Sequence, residues 1–329
     1  MSSLRDRVNS GGYELAAPVR RTLGSAIDCV GHGLHGGEAV RLRLVPAASG
    51  SGIVFHRTDI DCRIPAKFDF VSDTRLSTVL GLPGRPEARV GTVEHLMAAL
   101  MASRIDDLLI ELDGPEVPVL DGSAEPFLFL IQSAGVAERK GRRPVIEIVR
   151  PVRVSCADAF VELRPHGSGA YSATGLDLSL AIDFPCAAIG RQALSLSLSP
   201  ESFADELARA RTFTQAGEIE ELRKAGLAKG GSLANAIVVE GSKVMNPEGL
   251  RWRDEFVRHK LLDVVGDLAL AGAPLAGRFI GNRSGHALNN RLLHALFADT
   301  ANYRFTENIF AAMPAEPAPA LPSYSFNAI

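Results

Sequence analysis

Cysteine is scarce in this 329-residue chain: Cys29, Cys62, Cys156 and Cys186 are scattered, with no CxxC pair. That spacing fits neither a disulfide framework nor a cysteine-built zinc site, and it suits a reducing compartment. Long apolar runs are missing as well. No stretch approaches the ~20 residues of a membrane helix, and the leader "MSSLRDRVNSGGYELAAP" lacks a signal-peptide core. Charge of one sign is not in excess: the net is −3, with no basic run of the kind that attracts nucleic acid. The expectation is a soluble cytoplasmic protein with no integral membrane segment and no nucleic-acid partner. Oligomeric state is not written in the sequence, which is compatible with a monomer.

What is present divides into two halves, and an apolar fraction of 46% is enough to give each a core. After a polar leader (1–19), alternation of Val40, Leu42 and Leu44 in "EAVRLRLVPA" reads as a half-buried strand, and "GIVFHRTDI" as another. Helical patterns follow in "TVEHLMAALMASR" and "AEPFLFLIQSAG", with the strand candidate "DDLLIELDG" between them. Asp121 or Ser123 is placed to cap the second helix. The basic stretch "ERKGRRP" reads as a linker, giving an N-terminal domain over 20–138, a linker over 139–144 and a C-terminal domain over 145–312. The second half again shows strands first, then helices near Pro200–Ala210, Phe256–Ala271 and Asn289–Ala298. Strands grouped ahead of helices argue for α+β layers rather than a parallel βαβ sheet. No short-period repeat is visible, although two halves of like element order suit a diverged duplication. The Pro/Ala-rich end, 313–329, reads as a tail.

The chemistry concentrates in "RDEFVRHKLLDVVGDLALAG". His259, Asp263 and Asp267 recur every four residues and so lie on one helix stripe, together with Phe256 and Leu270. A covered carboxylate needs a cation or a hydrogen-bond network. In "TVEHLMAALMAS", Glu94 and His95 are the only ionisable residues. One reading is plain: Glu94 complements the helix N-terminus and His95 is a core histidine. The other joins His95 to His259 and Asp263 as three ligands of a catalytic zinc, with Glu94 as general base. The spacing is not HExxH, and pattern alone leaves both readings open. His286, in the turn "GNRSGHALNN", is either a functional side chain or an idle one. Thr212 is either an oxyanion donor or an ordinary helix cap.

The blocks "STVLGL", "TVEHLMAAL", "EVPVLDGSAEPF", "ARTF", "GGSLANAIVV", "GLRWRDEFVRHKLLDVVGDL" and "SGHALNN" occur here in one order. On these blocks the chain resembles the UDP-3-O-acyl-N-acetylglucosamine deacetylases, zinc amidases of bacterial lipid A synthesis, over nearly its whole length. The resemblance implies zinc at His95, His259 and Asp263, with Fe²⁺ the alternative metal, and Glu94 as base. It implies that His286 stabilises the oxyanion and protonates the leaving amine, that Asp267 orients and charges His286, and that Thr212 binds the oxyanion. Phe213, Lys260, His35 and Arg283 fall at substrate-side positions, Arg283 suiting a phosphate. The implied fold is two similar α+β domains, each a sheet layered with helices, the helices packed between the two sheets. An insert at about 212–239 would form an apolar passage for an acyl chain, with Ile219, Leu222, Leu233 and Val238 as its lining or, on a structural reading, as core. The implied partner is a small acylated UDP-sugar.

Two features depart from that family. Ala159 stands where a nucleotide-contacting lysine is expected, and "TQAGEIE" is small and polar where relatives carry bulkier apolar residues. Both bear on substrate binding rather than on the hydrolytic chemistry. A deacetylase of another N-acyl sugar nucleotide, or a silent binder of UDP-sugars, remains the alternative.

Overall fold

Alternation governs the first half. In the computed structural model, which describes residues 19–166 and 175–306, Val40, Leu42 and Leu44 are buried while Arg41 and Arg43 face solvent. A strand shows successive side chains to opposite faces, so this pattern commits one face to the core. The half runs β1 (Val19–Leu23), β2 (Ile27–His32), β3 (Ala39–Pro46), β4 (Ile53–Arg57), β5 (Cys62–Pro65), β6 (Val71–Asp73), β7 (Val79–Leu82) and β8 (Arg85–Val90). It continues with α1 (Glu94–Ala102), β9 (Leu108–Leu112), α2 (Glu125–Ala134) and β10 (Val136–Arg142). A five-stranded sheet has the order β2-β3-β9-β4-β5, with β4 and β9 parallel and the other pairs antiparallel. A smaller sheet, β6-β7-β8, carries the turn that enters the site. At the start of α2 the N-cap is Ala124, which has no side-chain cap. Of the two expected residues Ser123 Oγ accepts the Glu125 amide at 3.3 Å, while Asp121 reaches no helix amide and instead accepts the amide and hydroxyl of Ser123.

The second half runs β11 (Val145–Ile148), β12 (Val152–Cys156), β13 (Ala159–Arg164), β14 (Leu176–Asp183), β15 (Arg191–Ser197) and α3 (Pro200–Glu206). Then come β16 (Phe213–Gln215), α4 (Ala216–Lys224), β17 (Ile237–Glu240), β18 (Lys243–Val244), α5 (Glu255–Ala269), β19 (Leu275–Asn282), α6 (His286–Phe297) and β20 (Tyr303–Thr306). In its seven-stranded sheet β19 is the hub, antiparallel to β13 and parallel to β14 and β11. The segment expected as an insert builds its own sheet, β16-β17-β18, with α4 beside it.

The chain is thus α+β. The run 139–144, expected as a linker, lies largely in β10, which pairs antiparallel with β1. Charge made it look like a loop, but a ladder strand facing solvent can carry many charges as long as its backbone is paired. The polar leader up to residue 18 and the Pro/Ala-rich end lie outside the described residues.

The helices face one another across the middle. In α2 Phe127 and Ile131 are buried and the helix packs against β2, while α5 packs on β14 and β15, and α6 on β12 and β13. α1 lies along α5, and every residue from Glu94 to Leu100 is buried. A helix covered on all sides has no polar face to spare, which is why the sequence of α1 is Ala- and Leu-rich. The close approach depends on Gly266 in α5, where a Cβ would sit 1.9 Å from the Glu94 carbonyl oxygen. That contact brings the start of α1 up to the polar stripe of α5. Among the described residues no helix is long and apolar enough to cross a membrane.

Candidate active site

The four-residue rhythm of α5 delivers His259, Asp263 and Asp267 to one buried face. α1 presents His95 opposite them. His95 Nε2 lies 3.6 Å and His259 Nε2 3.4 Å from Asp263 Oδ1, and the two imidazoles meet edge to face at 4.9 Å. The three ligand atoms fall within 4.8 Å of one another.

This trio fits a metal. His259 Nδ1 is 3.0 Å from the Ala210 carbonyl, which can only accept, so the proton sits on Nδ1 and the Nε2 lone pair points inward. Burial pushes the His259 pKa down to about 4, against the pull of Asp263, so the ring is neutral at pH 7, the form that binds a metal. Asp263 Oδ2 accepts Lys260 Nζ at 2.8 Å, whereas Oδ1 is buried with no hydrogen-bond partner. An orphaned carboxylate oxygen is costly unless a cation meets it. Two donors at ~2.0–2.1 Å from one tetrahedral zinc stand ~3.3–3.5 Å apart, close to the separations found here. Asp263 is held well below the usual carboxylate range: burial opposes this, but neighbouring His259 and Lys260 outweigh it. Lys260 is raised in turn, Asp263 prevailing over burial.

A second pair flanks the trio. His286, the first residue of α6, bonds through Nδ1 to Asp267 Oδ2 at 2.9 Å, and its Nε2 is 3.8 Å from Glu94 Oε1. Burial lowers the His286 pKa, but Asp267 and Glu94 overcome it and push the value up to about 9. Glu94 is raised above the ordinary carboxylate range, mainly by burial, with His286 and His95 pulling the other way. A buried carboxyl group and a buried imidazole, both shifted upward, thus stand side by side. Asn289 Nδ2 donates to Asp267 Oδ2 at 2.8 Å, Thr78 Oγ1 donates to Oδ1 at 2.5 Å, and the Thr78 amide donates to Glu94 Oε2 at 3.0 Å. Sequence reasoning missed Thr78 and Asn289. A hydroxyl or an amide has no periodicity to betray it, and only the block "STVLGL" pointed near Thr78.

Two connected cavities open on these groups. The smaller, about 210 Å³, is lined by Glu94, His95, His259, Lys260, Asp263 and His286, together with His35, Thr212 and Phe213. The larger, about 760 Å³, shares His35, Thr212 and Phe213 and continues along Ile219, Leu222, Leu233 and Val238. None of those last four is buried, so they line a space rather than fill a core. Phe213 sits between Phe256 and Phe184, with ring centroids 5.0 and 5.6 Å away. Both ring nitrogens of His35 are buried without a partner, and burial lowers its pKa against the pull of Glu116. Glu116 itself holds the amides of His35 and Gly36 and the hydroxyl of Thr92.

Thr212 precedes β16 and caps no helix; its amide bonds Gly122 O and its carbonyl accepts Ile237 N, both at 2.8 Å. Beside it, buried Arg211 is clamped to Glu255 of α5 at 2.9 Å, fixing the segment against the ligand helix. Arg283 lies outside the lining of both cavities and pairs with Asp158 at the surface. Ala159 opens β13 in a hairpin with Cys156, next to that pair. The structure therefore gathers every expected site residue except Arg283 at or directly behind one pair of cavities.

Comparison with known proteins gives a consistent pattern. A sequence model described as UDP-3-O-acyl N-acetylglycosamine deacetylase matches residues 20–298. A protein of Acidithiobacillus ferrooxidans named UDP-3-O-acyl-N-acetylglucosamine deacetylase is 47% identical over 292 residues, 88% of this chain and 93% of its own length. Proteins of the same name from an Anaeromyxobacter species and from Neisseria meningitidis are each 44% identical over 87% of this chain, with 90% and 92% of their own lengths covered.

Proposed function

The chain belongs to the UDP-3-O-acyl N-acetylglycosamine deacetylase family, and from that premise we propose that it hydrolyses the acetamide of UDP-3-O-acyl-N-acetylglucosamine in a metal-dependent reaction. The observation that carries this reading is the buried Asp263 Oδ1, unpartnered and facing two imidazole nitrogens, with a base and an acid directly beside it. Zinc held by His95, His259 and Asp263, or ferrous iron on the same donors, would act as a Lewis acid and lower the pKa of a coordinated water to roughly 7.

Glu94 Oε1 accepts the proton of the attacking water, whose oxygen adds to the acetamide carbonyl carbon. The Thr212 hydroxyl and His286 Nε2–H donate to the developing oxyanion. His286 then passes its proton to the sugar's C2 nitrogen as the C–N bond breaks, releasing acetate and the free amine. Asp267 keeps His286 oriented, and holds it charged until that transfer. The acyl chain occupies the larger cavity between Phe213, Ile219, Leu222, Leu233 and Val238, and His35 and Lys260 meet the sugar side. Arg283 would reach a phosphate only by leaving Asp158, and an exposed ion pair costs little to break. The product would feed lipid A synthesis, in the cytoplasm.

Glu94→Gln tests the division of labour. It should keep one metal per chain while acetate release falls by ~10² or more. Metal loss as deep as that of His95→Ala would make Glu94 a ligand instead.

A further inference from the structure

We propose that Thr78 is a positioning residue for hydrolysis, its hydroxyl fixing Asp267 and its amide fixing Glu94. The inference rests on the deacetylase reading above and extends it to a residue outside the ligand and acid–base set.

Thr78 is buried in the turn between β6 and β7, and each of its polar groups is engaged. Its carbonyl accepts the Val93 amide at 3.3 Å, anchoring the start of α1. Its amide donates to Glu94 Oε2 at 3.0 Å, which leaves Oε1 as the oxygen turned towards His286, 3.8 Å away. Its hydroxyl donates to Asp267 Oδ1 at 2.5 Å, while Oδ2 takes His286 Nδ1 and Asn289 Nδ2. A carboxylate only accepts, so the direction of the hydroxyl bond is not in doubt. The terminal torsion of an aspartate is broad and two-fold, and a donor on each oxygen is what stops the group from turning. Thr78 comes from the first half of the chain and Asp267 from the second, so one residue keeps base and acid in register across the two.

Valine matches threonine in shape but has no donor, and serine keeps the donor. Thr78→Val should lower kcat by ~10-fold or more, the worth of one hydrogen bond to a charged group, with KM and metal content near those of the parent. Thr78→Ser should restore kcat to within ~3-fold, and adding Thr78→Val to Asp267→Ala should cost almost nothing more, because residues acting through one partner are not additive. Thr78→Ala, which adds no bulk, serves as the second donor-free variant should Val fold poorly. A readout free of turnover is the slowly exchanging Nδ1 proton of His286, assigned by its loss in His286→Gln. It should persist in the parent and in Ser, and be lost to exchange in Val. A Val variant with parental kcat, a Ser variant as slow as Val, or multiplying losses in the double variant would overturn the proposal. Absence of acetate release from the parent would instead sink the deacetylase reading, while the His286 proton would still report on Thr78.

Discussion

At His286 two forces oppose each other, and the sign of the result sets the pH behaviour. Burial favours the neutral ring, yet Asp267 and Glu94 carry the pKa up to about 9. The acid form is therefore full below that value and is lost as pH rises through it. Glu94 must be ionised to accept a proton, and burial moves it above the ordinary carboxylate range, so activity is lost as pH falls through its raised pKa. The profile should be bell-shaped, with its limbs belonging to the Glu94–His286 pair. Asp267→Asn removes the larger of the two charges holding His286 up, so the alkaline limb should move down by about 1–3 units with metal retained. An unmoved limb in kcat/KM measured across pH would remove Asp267 from this role. Lys260 carries a different prediction. Its ammonium bonds the outer oxygen of Asp263, so Lys260→Ala should weaken metal affinity by ~10-fold, as loss of a partner behind a ligand does. Chelator competition reads this directly, and unchanged affinity with a raised KM would make Lys260 a substrate contact alone.

Among the elements, the contact of α1 with α5 decides whether the site exists. Glu94 and His95 come from one helix, His259 and Asp263 from the other, and Gly266 allows the backbones to approach. Gly266→Ala would drive a methyl into the Glu94 carbonyl, so unfolding stability should fall by ~1–3 kcal/mol or more. Displacing α1 by about 1 Å should also cost ~10² in turnover. A variant with parental melting temperature and rate would show that the helices can part without harm. Both helices were legible in the sequence because their apolar patterns are long and unbroken. β10 was not, because Glu138, Arg139, Lys140 and Arg142 resemble a solvated loop until β1 supplies a partner. Sheet order was hidden for a similar reason. That β19 sits between β13, β14 and β11 depends on pairings far apart in the chain, which no local pattern encodes. The ligand stripe on α5 could be read from spacing, but joining it to His95 needed either the resemblance or the fold. Thr78, Asn289, Arg211 and Glu255 lie inside the recognised blocks, but no spacing or periodicity singled them out, and Arg283, expected near a phosphate, is engaged by Asp158.

For the molecule as a whole, the site belongs to neither half alone. Thr78, Glu94 and His95 come from the first, and Thr212, His259, Asp263, Asp267 and His286 from the second, so assembly of the halves and assembly of the proposed catalytic groups are one event. A metal bound only by the folded chain would then stabilise the whole, because it draws the equilibrium towards the native state. In the proposed reaction, one metal at His95, His259 and Asp263 is what makes the protein a deacetylase. The most direct test strips the protein with a chelator, returns zinc in measured steps, and follows acetate release from UDP-3-O-acyl-N-acetylglucosamine. The stripped protein should release none, and the return should be linear and saturate at one metal per chain, with no release from His259→Ala at any step. A parental rate without metal, or an intact substrate with the metal fully restored, would contradict it.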